Sequence, residues 1–390
     1  MREKCAQTRI LHCPRNIGGH SSTVSQAEHS LGAYSRLILI EAERYGFGAD
    51  EILTAPGDSA YKRWAAKLKL LQRALQDFDV VHFNGGQPLF GPPPPWFWSG
   101  MKGPLRSKLA HGAFESLSSL APFLDLKLLR KKEKLLCVTF QGDDARQGAP
   151  QRARYMRSLA TEADGIHYSL EGDLWKRQRV AAFSQHAHLI YALNPDLLRD
   201  LPERARFLPY AIDASSIDRQ IRDTSNRLPL IVHAPSDQRV KGTRFVLAAI
   251  DSLRASGVNF EFVLLENRNN KAARQVYARA DIIIDQLNAG FYGMLAVEAM
   301  AVGKAVVAFM REDDLTFLDS AMRRECPVIS AEPETLHGVL DNLLRYGPGL
   351  FVDIGRAGRT FVARWHDSKK VAARLLSDYD SVSSKLFEKG

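Results

Sequence analysis

Four short segments carry residues whose types and spacing suit phosphate and sugar chemistry. NIGGHSSTVSQAE (16–28) follows an apolar run and opens a helix-forming stretch. Gly18 and Gly19 let a backbone approach a ligand closely, and the helix start behind them attracts anions. The same two glycines also suit an ordinary turn. In HAPSDQRVKGT (233–243), Arg239 and Lys241 stand between a strand and a helix. Two cations there can hold a diphosphate and stabilise the charge that grows on it as it leaves, or they form a solvated basic turn. In NAGFYGMLAVEAMAVGK (288–304), Gly293 precedes a helix and Glu298 lies about one turn in, between Val297 and Met300. That carboxylate is placed to accept ribose hydroxyls, with a helix N-terminus beside it for a phosphate; the alternative is a surface Glu. In VTFQGDDARQG (138–148), Gln141, Asp143, Asp144 and Arg146 cluster at a strand end. They point at a ligand or close an Asp-rich turn through a local Asp–Arg pair.

The elements that must position these groups alternate. TRILHCP (8–14), SRLILIE (35–41), DVVHFNG (79–85), LLCVTFQG (135–142), GIHYSL (165–170) and HLIYAL (188–193) read as strands. They lack strict alternation, as expected of parallel strands buried on both faces. AYKRWAAKLKLLQRALQDF (60–78) places Tyr61, Trp64, Leu68, Leu71 and Leu75 on one helix face. The second half repeats the pattern. LPLIVHAP (228–235), FEFVLLE (260–266), ADIIIDQL (280–287) and KAVVAFM (304–310) are strands, and helices cover 241–257, 294–303 and PETLHGVLDNLLRYG. Gly257 is placed to end the first of those helices. The expected fold class is α/β, with two doubly wound Rossmann-like domains facing a cleft, and ligands bound at strand C-termini. An N-terminal domain covers 1–212, with 86–134 an insertion or surface segment, and a second domain covers 213–365. The remainder, 366–390, is a helix.

Composition narrows the function classes. The 390 residues suffice for about two domains. The net charge of +9 suits an acidic ligand, a phosphate-rich substrate or an anionic membrane surface. No apolar run reaches membrane-spanning length, the N-terminus lacks a signal-peptide core, and the four cysteines show no metal-ligand spacing. A reduced, cytoplasmic setting follows, on the inner face of the membrane if a surface is bound. Neither G-x-G-x-x-G after the first strand nor a P-loop is present, and no nucleic-acid module is recognisable.

Taken together, RVKGT, ADIIIDQ and FYGMLAVEAMAVGKAVV resemble the C-terminal domain of retaining GT-B glycosyltransferases of the large family-4-like (group 1) type. The N-terminal GG loop, DVVHFNG, VTFQGDDAR and LPYAID resemble that family's other blocks in order. The resemblance implies the GT-B fold and hexosyl transfer from a nucleotide-diphosphate sugar with retained configuration. It implies no metal or other cofactor, an unknown acceptor such as a lipid-linked or cell-surface glycan precursor, and a last helix that crosses back to the first domain. Lys241 then matches the lysine that contacts the donor diphosphate, with Arg239 beside it. Glu298 matches the second Glu of E-x7-E, on the ribose. Gly18, Gly19, Ser236, Tyr292, Gly293, Met294 and Leu295 fall on the donor-binding blocks. Gln141 and Asp143 would orient the sugar, and His20, Asp144 and Arg146 lie on the acceptor side.

Three departures stand out. The first Glu of the motif falls on Gly290, the family arginine five residues before the lysine is Ser236, and a frequent His is Gln141. A nucleotide-sugar epimerase and a catalytically silent binding protein of the same fold are the rival readings. In 96–134, Trp96, Phe97 and Trp98 precede Lys102, Arg106, Lys108, Lys127, Arg130, Lys131, Lys132 and Lys134, with leucines between. Such a segment suits an anionic membrane surface, or a helix packed on its own domain with a solvated basic face.

Overall fold

Short runs of branched and aromatic residues, separated by helix-period stretches, build two parallel sheets. The computed structural model describes residues 7–43, 46–95, 121–162, 167–214, 227–266 and 270–387. The chain divides into two units. The first comprises Met1–Ala149, Gly165–Ala211 and Ser368–Gly390; the second comprises Pro150–Asp164 and Ile212–Asp367. Two doubly wound α/β units of this kind are the expected fold class.

Unit 1 is built on β1 (Arg9–Cys13), β2 (Tyr34–Leu39), β3 (Glu51–Ile52), β4 (Val80–Asn84), β5 (Leu135–Phe140), β6 (Leu189–Ala192) and β7 (Arg206–Phe207). Their order is β3-β2-β1-β4-β5-β6-β7, with every pair parallel. Side chains alternate across the sheet. Leu11, Val81, Leu136 and Ile190 enter one core; Ile10, Val80, Leu135 and Leu189 enter the other, together with Val371, Leu375 and Tyr379 of the last helix, Ser368–Phe387. Tyr379 reaches the sheet through a polar contact. Its hydroxyl lies 2.6 Å from His82 Nδ1, and His82 Nε2 lies 2.7 Å from Thr139 Oγ1.

Unit 2 is built on β8 (Leu230–His233), β9 (Glu261–Leu264), β10 (Ile282–Ile284), β11 (Ala305–Ala308) and β12 (Ile329–Ser330), ordered β12-β11-β10-β8-β9 and parallel throughout. Helices Thr243–Ala255 and Leu336–Tyr346 bury Val246, Ile250, Leu253, Leu336 and Leu340 against it. The segment Pro150–Asp164, which follows β5 in sequence, packs with this unit.

Three local expectations change. Residues 167–169 form a turn rather than a strand, and a helix runs from Leu170 to His186. Ser169 caps it by accepting from Gly172 N at 3.1 Å, a cap that an apolar run of three alternate residues does not reveal. Helix Ala60–Asp77 forms, but its buried positions are Ala60, Ala66, Leu70, Leu71 and Ala74, while Tyr61 and Leu68 face solvent. The small alanines let the helix sit close to the sheet, with Leu71 buried and Trp64 and Leu75 packed half-buried against the core. Of the basic stretch 96–134, residues 96–120 lie outside the described residues. Helix Leu124–Lys131 buries Leu126 and Leu129 in the core, and buried Asp125 accepts Leu89 N at 2.6 Å.

Candidate functional site

The winding of the second sheet reverses between β8 and β10, and ligands of open α/β sheets bind outside strand ends at such a reversal. The loops leaving those strands hold two of the four segments. After β8, Asp237 accepts from Arg239 N (2.9 Å) and Val240 N (3.1 Å), which caps the turn Gln238–Lys241. After β10 come Asp285 and Gln286. Lys241 Nζ donates to Asp285 Oδ1 and Gln286 Oε1, both at 2.8 Å. The second oxygen of wholly buried Asp285 accepts Gly293 N at 2.6 Å. Gln286 Nε2 donates to Phe291 O, Asn288 Nδ2 to Arg239 O (2.8 Å) and Leu287 N to Lys241 O (3.2 Å). The two loops are therefore fixed to each other before any ligand arrives.

This stitching sets an ammonium at the start of helix Met294–Ala301. Lys241 Nζ lies 3.3 Å from where a Cβ on residue 293 would stand, so glycine is what admits it. An ammonium has three donors, and two are used. The backbone amides of Met294 and Leu295, both half-buried, have no acceptor among the described residues. One cation beside two open helix amides is an anion cradle. Glu298 lies one turn further and is 8% exposed. Behind Lys241, His233 bridges Ile284 O and Thr243 Oγ1, each at 2.9 Å. Burial, with Lys241 nearby, pushes its pKa down to about 4, so it stays neutral.

Gly290, which stands where the resembling family has its first Glu, has φ +76°. A Cβ there would sit 2.3 Å from Arg311 Nη1. The Arg311 guanidinium donates to Asp314 Oδ2 and to Arg157 O, each at 2.9 Å, and lies 3.7 Å from the ring centre of Tyr155. Tyr155 donates its hydroxyl to Asp314 Oδ1 at 2.8 Å. A buried arginine thus fills the space a side chain at 290 would need. Among the other expected residues, Ser236 and Arg239 are exposed on the capped turn. The Tyr292 ring is buried and stacked on Phe291, with its hydroxyl 2.9 Å from His366 Nε2.

The sheet of unit 1 reverses between β1 and β4, beside the GG loop. Gly18 and Gly19 both have left-handed φ, and Gly19 caps helix His20–Ser30. A Cβ on Gly19 would meet the Phe47 ring at 2.7 Å. Asn16 braces the loop through Ser22 N (3.2 Å) and Gly48 O (2.9 Å). His20 is buried and accepts Ala211 N at 3.1 Å. Asp144 accepts Gln141 N (2.9 Å) and Gly142 N (2.6 Å), closing the turn after β5. Arg146 grips both oxygens of Asp196 (2.7 and 3.1 Å) and also Asp143 (2.8 Å). Asp144 thus closes the turn, and Arg146 ties it to Asp196. Gln141 presents its side chain beside them; its Nε2 is buried with no partner among the described residues.

Sequence reasoning missed several supports. Lys176 is fully buried, donates to Arg146 O and His167 O at 2.6 Å, and burial lowers its pKa to about 8. Arg179 donates to Gly85 O and Gly86 O. Their spacing with Asp173 along one helix was the available signal. Asp285 and Gln286 were signalled by polar residues directly after an all-isoleucine run.

Neither a protein-family model nor a curated protein sequence matches the chain. Solved structures do match in shape. Sucrose-phosphate synthase from Thermosynechococcus elongatus aligns over 97% of this chain and all of its own, with TM-score 0.60 and 12% identity. Anabaena HepE in complex with UDP-glucose aligns over 96% and 100%, with TM-score 0.58 and 11% identity. A trehalose-6-phosphate synthase, studied for glycosyl transfer with retention, aligns over 96% and 99%, with TM-score 0.56 and 10% identity. These neighbours are GT-B glycosyltransferases, and this chain has the GT-B fold.

Proposed function

We propose that the protein transfers a sugar from a nucleotide-diphosphate sugar to an acceptor, with retention of configuration. The observation that carries this reading is the Lys241 ammonium held beside the open amides of Met294 and Leu295. A diphosphate at that cradle takes the third Lys241 donor and the two amides. Negative charge grows on the diphosphate as the glycosidic bond to it breaks, and preorganised donors stabilise that charge more than they stabilise the ground state. Arg239, exposed on the same turn, adds a second cation, and Glu298 accepts from the ribose. The family resemblance assigns the GG loop of unit 1 to the donor phosphates. Gln141 hydrogen-bonds a sugar hydroxyl; an amide cannot take a proton near neutral pH, so the leaving phosphate takes the acceptor proton on the same face. The likeness to structures holding UDP-glucose supports a nucleotide-sugar donor, and that to a retaining synthase supports retention. The charge of the diphosphate is met by protein groups, with no metal called on.

Calorimetric titration with UDP, UDP-glucose and other nucleotide sugars, followed by an assay of acceptor-dependent nucleotide release, tests the reading. Binding of one donor class and release that requires an acceptor are expected. No affinity for any nucleoside diphosphate would overturn it.

A further inference from the structure

Two neighbouring helices of unit 1 share an unusual outer face. Helices Leu124–Lys131 and Leu170–His186 lead into the adjacent parallel strands β5 and β6, so they run side by side in one direction. The inward stripe of the second helix, including Asp173, Lys176, Val180 and Phe183, is buried. Its outward stripe is Leu170, Leu174, Arg177 and Ala181, spaced four, three and four apart and all exposed. Leu170 is 75% and Leu174 56% exposed. On the first helix, Leu124, Lys127 and Lys131 form the corresponding exposed stripe. Arg130 and Lys132 are exposed beside it, and Arg204 reaches in to donate to Ser184 O and Ala187 O.

Lys127, Lys131, Lys132, Lys134 and Arg177 make no ion pair among the described residues. The exposed acidic residues near them in sequence are Glu133 and Glu171, while Asp125 and Asp173 are buried. The convergence of cations is felt by two histidines at the end of the second helix and just beyond it. Burial, with Arg130 and Arg204, lowers His188 to about 4, and burial with Lys127 and Arg130 lowers His186. Cations at helix C-termini are ordinary. That accounts for Arg130, Lys131 and the C-cap residue Lys132, but not for Lys127, Lys134 or Arg177, nor for leucines one turn apart in solvent.

We infer that this face docks on an anionic lipid bilayer, with Leu170, Leu174 and Leu124 entering the interface and Lys127, Arg130, Lys131, Lys132 and Arg177 meeting lipid phosphates. Leucines exposed among unpaired cations suit a surface that is charged outside and apolar within. A soluble polyanion has no use for them. This inference goes beyond the donor chemistry and stands apart from it, since every residue named lies outside the candidate site.

The test is co-sedimentation of the full chain with phosphatidylcholine vesicles and with equimolar phosphatidylcholine–phosphatidylglycerol vesicles, at low and high salt. Binding to the anionic vesicles alone, weakened by salt, is expected. The triple variant Lys127→Glu, Lys131→Glu, Lys132→Glu should bind at least about tenfold more weakly. Leu170→Ser with Leu174→Ser should reduce binding at both salt concentrations. Melting curves of both variants, expected to match the parent because the residues are exposed, report folding. Absence of binding at low salt overturns the inference, as does binding that neither variant changes. Loss through the charge reversal but not the leucine pair overturns it too, because that is the behaviour of a polyanion site. Nucleotide affinity, measured on the same variants, should not move.

Discussion

Lys241 does two jobs, and substitution can separate them. Its side chain is 13% exposed, while Asp285, its partner at 2.8 Å, is wholly buried. Lys241→Met keeps the stem but strands the Asp285 carboxylate, whose remaining partner is the Gly293 amide. Removing one member of a buried pair costs about 3–5 kcal/mol. The same change removes a donor to the diphosphate, worth about 1.5–3 kcal/mol of UDP affinity, and a charge-stabilising group worth about 10²–10³ in rate. Adding Asp285→Asn removes the stranded charge while leaving an oxygen for Gly293 N. The double variant should therefore recover most of the stability but neither the affinity nor the rate. Urea denaturation and UDP calorimetry on parent, single and double variants measure both quantities. A single variant as stable as the parent refutes the buried-pair argument. A double variant that binds UDP as tightly as the parent refutes the diphosphate role.

Glu298→Ala should lower UDP affinity by about 1.5–3 kcal/mol in the same calorimetry, through the lost charge-assisted hydrogen bond. Gly290→Ala should destabilise unit 2, because residue 290 has φ +76° and its Cβ would overlap Arg311. The left-handed conformation alone costs about 1–2 kcal/mol, and a lowered melting temperature is the readout. Stability should also fall in mild acid. The folded-state pKa of His233 lies at about 4, below its usual 6.5, so the unfolded chain binds the proton more readily. The contribution is fully present above pH 6.5 and is lost as pH falls towards 4, up to about 3 kcal/mol. Buried His82, held low by burial with His12 and His20 nearby, acts in the same sense. Urea midpoints at pH 7.5 and pH 5 check the direction, and a higher midpoint at pH 5 would contradict it.

Much of this was legible because parallel strands are written as unbroken apolar runs. RILHC, VVHFN, LLCVTF and AVVA each became a strand, and the polar groups just after such runs became the loops at the sheet reversals. Lys241 and Gly293 were visible as types at a strand end. Asp285 was visible in the same way, after the isoleucine run, but its pairing with Lys241 was not, because a hydrogen bond between residues 44 apart leaves no periodic trace. Arg311 was illegible for the same reason. Its place against Gly290 depends on a second loop and on Tyr155, far earlier in the chain. In helix 60–77 Leu71, Trp64 and Leu75 were found on the core side, but Ala60, Ala66 and Ala74 were missed, since alanine counts weakly in a hydrophobic pattern yet marks the closest approach to a sheet.

The segment Pro150–Asp164 has a consequence for how the protein is made and taken apart. The chain passes between the two units four times, so neither is a continuous stretch of sequence. A ribosome that has just finished β5 next delivers Tyr155 and Arg157, whose partners Arg311, Asp314 and Glu334 emerge some 150 residues later. Until then the ion pair open to Arg157 is with Glu162 of its own segment, at 3.7 Å. A fragment cut at 212 and 367 lacks Tyr155, which leaves Arg311 without the ring under its guanidinium and Asp314 without its hydroxyl donor. Unit 2 is thus not a cassette that recombination can lift out at its two obvious ends. It travels intact only with fifteen residues encoded towards the end of the gene's first half.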